Sequence, residues 1–346
     1  MAAFETQTPP PKTKIWRYLI IIVVLGLAVY LLLPQISDLK ESWEVVKQLT
    51  WWIVGLAVFA EVISYLGYGY SIHSIAALRN QKISTPKGTL IVMSATSLGL
   101  VAGGWFTSTG SIIGSVKKQT GDGSTATMAG ILPSMFLNVG IGIIAVAGII
   151  YLKVQDQLTS SQLIQYLVFL LILTFNTFGS LIALAYPKQT YNVVNWALWH
   201  VAKWRKKPYD PQNTKETVDG YIMAWKGLAK GNWHKPLLGA LIYVFFDMLA
   251  MYFLFLAAGY KAYAGVLFAG YGLPYLISKI AFIFPGGIGV IEASMAAIFT
   301  SLGVPNEISV VVILSYRLLS FWIPIVLGFV SMGYLSRDKT LKKSKA

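Results

Sequence analysis

Glu292 follows the run Phe284-Pro285-Gly286-Gly287-Ile288-Gly289-Val290-Ile291, inside an apolar stretch over residues 262–302. Proline removes a backbone donor and glycine weakens a helix, so the backbone must break here. In a bilayer, a broken backbone survives only where protein buries it or where it lines a wet cavity. An ionised group is costly in hydrocarbon, which makes a carboxylate beside such a break a functional candidate by default. Arg317, Asp247 and Lys279 are further ionisable residues in apolar surroundings, with Glu61 and, near a helix end, His73 in the first half. Buried charges pair or face a cavity. A Glu292–Arg317 pair is expected, because the polar link at residues 303–306 lets the last helix fold back on the broken one. Asp247 with Lys279 is a second expected pair. Such pairs either fix helix register or form a polar site. A half-helix starting after Gly289 would aim its positive end at the bilayer interior, which suits an anionic headgroup.

Catalytic chemistry finds little support. There is no Cys, the three His (His73, His200, His234) show no metal-ligand spacing, and only 14 residues are acidic. No Asp-x-Asp, His-Glu-x-x-His or Gly-x-Ser-x-Gly motif occurs, nor a phosphate loop ending in Gly-Lys-Ser/Thr. No cofactor or metal is expected. An enzyme is disfavoured rather than excluded.

The elements that must position these residues follow from composition. The 346 residues are 55% hydrophobic and only 12% charged, with a mean hydropathy of +0.62, against roughly 25% charged in a soluble domain. This is the signature of a multi-pass membrane protein. Spans of about 20 apolar residues are predicted at 16–33, 51–72, 127–151, 163–185, 237–258 and 308–335. Two more apolar regions are interrupted. One, 88–116, is expected to break around Gly103-Gly104 and Gly110-Ser111-Ile112-Ile113-Gly114; the other, 262–302, at residues 285–289. The expected fold is an all-α integral membrane protein, with about six full crossings and two broken re-entrant hairpins.

The net charge of +14 raises nucleic acid binding, but its distribution fits topology instead, since cytoplasmic loops carry the excess of Lys and Arg. With both broken segments returning to the side they entered, the inside regions hold Lys12, Lys14, Arg17, Arg79, Lys82, Lys87, Lys117, Lys118, the bases between Lys188 and Lys235, and those from Arg337 to Lys345. The outside regions hold only Lys40, Lys47, Lys153 and Lys261. Both termini are therefore expected on the cytoplasmic side of a bacterial or archaeal plasma (inner) membrane. The expected units are a disordered tail at 1–15, one membrane domain at 16–335 and a basic tail at 336–346. The cytoplasmic loop at 186–236 mixes Trp196, Trp199 and Trp204 with Lys203, Arg205 and Lys206, as an interfacial helix on anionic lipid would. An ordinary positive-inside loop with aromatic-belt residues explains the same mixture.

The same parity makes the first broken segment enter from inside and the second from outside. Each runs through an apolar arm, a Gly-rich break, a second arm, a polar link and a long crossing, over about 88–151 and 262–335. Inverted repeats with discontinuous helices are a common transporter architecture.

The run Pro285-Gly286-Gly287-Ile288-Gly289-Val290-Ile291-Glu292, followed by Ser315-Tyr316-Arg317-Leu318, resembles the lysylphosphatidylglycerol synthase transmembrane family, over about residues 49–334. The resemblance marks Pro285, Gly286, Gly287, Gly289, Glu292 and Arg317 as signature positions. It implies lipid translocation. With Asp247 and Lys279, these form the candidate substrate-binding set. The first half departs from the family pattern: residues 109–118 and Leu132-Pro133-Ser134 lack the charges expected there. The few residues after Leu335 leave no room for the aminoacyl-transferase domain of fused relatives. The expected function is thus a flippase-like translocase of a lipid or lipid-linked substrate. A membrane-embedded transferase acting on a lipid-linked substrate, or a non-transporting scaffold, stands as the alternative. Partners would be membrane lipids, anionic phospholipid or a lipid-linked headgroup, and not nucleic acid. The oligomeric state is left open, with a homodimer compatible.

Overall fold

Hydrocarbon offers no partner to a free backbone N–H or C=O, so a chain this apolar is driven into helices that bond to themselves. A computed structural model of the protein describes residues 39–102, 104–204, 233–278 and 287–337, with scattered residues between 209 and 222, and every regular element among them is helical. These are α1 (Leu39–Lys47), α2 (Trp51–Ala77), α3 (Thr85–Ala102), α4 (Gly104–Thr120), α5 (Gly123–Val154), α6 (Ser160–Ala185), α7 (Pro187–Trp204), α8 (His234–Ala257), α9 (Ala264–Ser278), α10 (Val290–Ser301), α11 (Asn306–Arg317) and α12 (Ile323–Arg337). A π-helical turn, Leu318–Trp322, joins the last two. Helices α2, α5, α8 and the continuous Asn306–Leu335 stretch are long and apolar enough to cross a membrane. α6, at 26 residues, matches the predicted span at 163–185. The predicted crossing at 16–33 lies outside the described residues. The protein is an all-α integral membrane protein.

The first interrupted region differs from expectation. Gly110 and Gly114 do not break the chain, for α4 runs through both. A lone glycine costs a helix only about 1 kcal/mol, no proline accompanies these two, and an opened backbone would be dearer in lipid. Nor do they serve close packing, as neither has a neighbour within 4 Å of an added Cβ. α3 ends at Ala102 and α4 begins at Gly104, and the expected break at Gly103 lies outside the described residues. At about 1.5 Å per residue, the arms α3 (18 residues) and α4 (17 residues) nearly match a hydrocarbon core of about 30 Å. In the second hairpin α9 has 15 described residues and α10 has 12.

Packing is organised by three seams. α2 lies on α8, α3 on α12, and α9 on α5, so the first arm of each hairpin packs against the long helix of the other half. Lipid supplies no hydrophobic force between helices, and small residues that let backbones touch take its place. An added Cβ at Gly67 would sit 2.8 Å from Gly239 O, and one at Gly239 would sit 2.6 Å from Gly67 O. Gly148 and Gly272 meet the backbone of Ala269 and Ala145 in the same way, and Gly328 meets Met93 O at 2.2 Å. Serine hydroxyls then donate across: Ser64 Oγ to Tyr243 O (3.0 Å), Ser71 Oγ to Pro236 O (2.6 Å) and Ser97 Oγ to Ile325 O (2.8 Å). Lipid-facing Trp51 and Trp52, 67% and 69% exposed, stand at one end of α2, where aromatic residues favour the membrane interface. The exposed Val193, Trp196 and Trp199 of α7 lie on a helix that packs against α6. Lys203 Nζ stands 4.9 Å over the Trp199 ring.

At the other end of α2, His73 Nδ1 meets Ile83 O at 2.7 Å and Arg79 Nε donates to Asp122 Oδ2 at 2.8 Å. Asp122 is the N-cap of α5, accepting from the Ser124 N–H and from the Thr125 hydroxyl. Burial works against its charge, but the bonds from Thr125, Arg79 and Ser124 and the charge of Arg79 outweigh it, holding the carboxyl below its usual 3.8.

Two outcomes follow for stability, read as thermal melts of the purified protein. Gly67→Leu forces backbones apart and lowers stability by about 1–3 kcal/mol or more, whereas Gly55→Ala, with no neighbour within 4 Å, leaves it unchanged or slightly raised. Asp122→Ala costs about 1 kcal/mol as a lost cap. Because the folded-state value is depressed, this contribution is complete above the ordinary carboxylate range and fades as pH falls through it; a pH-independent difference between Asp122→Ala and the parent would contradict it.

Candidate functional site

The second break ends at Gly287 and Gly289, whose φ angles of 66° and 81° lie in the left-handed region that L side chains avoid. A Cβ at Gly287 would also stand 2.9 Å from Ile291 and 3.2 Å from Ser278. The chain then enters α10 at Val290 with Gly289 as its N-cap, so Glu292 occupies the third helical position. From there its carboxylate reaches back, and Oε2 accepts from the Gly289 N–H at 2.7 Å. This is half of a capping box, and the helix dipole favours an anion at this end. The other oxygen, Oε1, accepts from Arg317 Nε at 2.5 Å. Both residues are closed off, with Glu292 4% and Arg317 3% exposed. The Arg317 guanidinium also lies 4.2 Å from the Phe321 ring centre, a favourable cation–π placement.

Arg317 ends α11, and the π turn begins at the next residue. π turns loosen the backbone ladder and often mark functional positions. Here the Ser320 carbonyl is taken by the Tyr65 hydroxyl at 2.9 Å, tying α2 to the turn.

One residue before Arg317, Tyr316 serves a second centre. Asp247 is wholly buried; its Oδ1 accepts from the Tyr316 hydroxyl and its Oδ2 from the Tyr271 hydroxyl, each at 2.8 Å. Tyr275 and Tyr316 share a 2.9 Å contact. The single Tyr316 proton goes to Asp247, so Tyr275 is the donor to Tyr316. Glu61, on the neighbouring turn of α2, is 6% exposed and lies against Asp247. Five helices, α2, α8, α9, α10 and α11, thus converge on three carboxyls and one guanidinium.

The predicted site residues divide accordingly. Glu292, Arg317, Gly287 and Gly289 come together at the break, and Asp247 stands one residue away along α11 through Tyr316. Lys279, Pro285 and Gly286 lie outside the described residues, and Asp247 is held by tyrosines. The N-terminal end of α10 receives the protein's own carboxylate at its first N–H. Sequence reasoning passed over Tyr65, Tyr271, Tyr275 and Tyr316 as participants. The i, i+4 spacing of Tyr271 and Tyr275 on a helix without charges was a usable signal, since both hydroxyls must leave on one face. Away from this centre, the outer flank carries a groove of ≈ 360 Å³ between α5 and α6, lined by Asn138, Val139, Gly142, Ile143, Leu170 and Leu173 among others.

Over residues 19–328 the chain matches the family model described as the lysylphosphatidylglycerol synthase TM region. It is also similar to a UPF0104 membrane protein of Methanocaldococcus jannaschii, 27% identical over 149 residues, covering 42% of this chain and 44% of the relative. A UPF0104 membrane protein of Pyrococcus horikoshii is 36% identical over 83 residues, 24% of each chain. The aligned stretches therefore span less than half the length of either relative. With the family model covering most of its length and the broken-helix ion pair at its centre, the chain belongs to the lysylphosphatidylglycerol synthase transmembrane-region family.

Proposed function

We propose that the protein binds and translocates a lipid or lipid-linked molecule, with an anionic headgroup received at Arg317. The observation that carries this reading is the Glu292–Arg317 pair, buried in the membrane at the end of a broken helix. A carboxylate and a phosphate oxygen present the same acceptor geometry to a guanidinium, which binds both bidentately when free to do so. Glu292 therefore acts as an internal stand-in for the headgroup. When a phosphate displaces it from Arg317, α10 is released from α11 and the site opens. On this reading the buried pair belongs to the occluded state of the cycle, and the burial of both residues supports it. The interlocked seams support a reading of the chain as two inverted halves, about 88–151 and 262–335, moving against each other about the α2–α8 contact. The charges reside in the second half, so that half supplies the headgroup site.

Two measurements test it. In vesicles carrying a fluorescent phosphatidylglycerol, the parent protein moves lipid between leaflets. Arg317→Lys retains the charge but loses the planar fork, and slows movement roughly tenfold or more, as expected for the loss of one charge-assisted bond of about 1.5–3 kcal/mol. An unchanged rate in the folded variant would sink the proposal. A mutant cycle separates this role from register-fixing. Glu292→Gln or Arg317→Met alone strands a buried charge and costs about 3–5 kcal/mol, whereas the double variant costs less than either. If the pair only fixes register, the double variant regains lipid movement along with stability. On the proposal it regains stability alone.

A further inference from the structure

The Glu292–Arg317 pair accounts for the guanidinium but leaves two of the three carboxyls. Both oxygens of Glu61 are buried with no hydrogen-bond partner, and the neighbouring ionisable group is the Asp247 carboxyl. Two neighbouring ionised carboxylates repel, and neither has a hydrogen to give. We propose that Glu61 and Asp247 form a proton-binding site, in which one exchangeable proton is bonded to a Glu61 oxygen and donated to Asp247.

The surroundings assign the two roles. Asp247 receives two phenol protons, from Tyr271 and Tyr316 at 2.8 Å each, and is thereby equipped to carry the charge. Glu61 receives none and is equipped to carry the proton. The site adjoins a close seam of the bundle, where Gly67 and Gly239 touch and Ser64 Oγ bonds Tyr243 O. Among the described residues no group of three or more His, Asp and Glu is placed to hold a metal. A bare proton needs no cavity. The other titratable and charged groups around it are Tyr65 on α2, Tyr243 on α8, Tyr275 on α9, Glu292 on α10 and Arg317 on α11, with Arg317 already bonded to Glu292. An exchange route is also present. Tyr275 is partly exposed and donates to Tyr316, which donates to Asp247, so a chain of hydroxyls runs from the edge of the network to the pair.

The test is infrared spectroscopy of the full chain in lipid vesicles at neutral pH, where exposed acids are ionised. The parent-minus-Glu61→Gln difference should contain the carbonyl stretch of a protonated carboxylic acid, shifting down in D2O. No such band in the difference would overturn the proposal. So would its disappearance from the parent on adding sodium, which would mark a cation site instead. Should Glu61→Gln fail to fold, Tyr271→Phe keeps both acids while removing one donor from Asp247, and must shift the band; a band at its parental position would again overturn it. These readouts do not involve lipid movement, so the proton site and the translocase reading can fail separately.

Discussion

The Glu292 carboxylate holds together what the sequence would otherwise let fall apart. Two left-handed glycines, Gly287 and Gly289, hold the chain out of helical geometry just before α10. One oxygen of Glu292 answers an N–H at that end, and the other fixes Arg317 of the next helix. In low dielectric such a bond is stronger than in water, and each partner alone would be expensive to bury. The position of α10 against α11 therefore depends on one bidentate side chain. Because Tyr316 precedes Arg317, the same contact sets the register in which Tyr316 meets Asp247, and through Asp247 it reaches Tyr271 and Glu61.

The rest of the bundle supplies a rigid frame for that contact by different means. The seams α2–α8, α3–α12 and α5–α9 consist of backbone approach at Gly67, Gly239, Gly148, Gly272 and Gly328 with serine hydroxyls bonded across. Such interfaces gain from dispersion and short polar contacts, which lipid cannot match, rather than from burying apolar area. They hold their geometry closely. The polar centre sits beside the α2–α8 seam, so a close backbone contact lies next to the charged residues.

Much of this was legible in the chain. The described spans could be read because length and apolarity are all a crossing requires, and the turn at residues 287–289 before α10 because glycine is needed where φ is positive. The Glu292–Arg317 contact was legible because few charges are available in hydrocarbon and each needs a partner. Gly110 and Gly114 were misleading for the opposite reason: glycine permits a break without compelling one, and with no proline beside them the helix persisted. The tyrosine network was hidden because Tyr in a membrane protein serves equally as a belt residue, and only the three-dimensional meeting of α8, α9 and α11 shows which hydroxyls turn inward. The π turn after Arg317 does have a residue signal in Pro324, which has no N–H to give to Ser320 O and crowds that carbonyl with its ring; the Tyr65 hydroxyl takes the carbonyl instead.

The asymmetry of the halves bears on how the site would work. The first hairpin carries no charge from Gly88 to Val116, which suits a fixed counterpart. In the second, the start of α10 is anchored by the Glu292–Arg317 pair. Releasing that anchor into lipid would strand two charges at several kcal/mol each, so simple opening is too costly to be useful. Exchange avoids the cost. If an anionic headgroup takes Arg317 as Glu292 leaves, the guanidinium is never unpaired, and Glu292 keeps its bond to the Gly289 N–H at the positive end of α10. The barrier then depends on how closely the incoming group imitates a carboxylate, and selectivity for an anion follows from the same bond that keeps the resting protein closed.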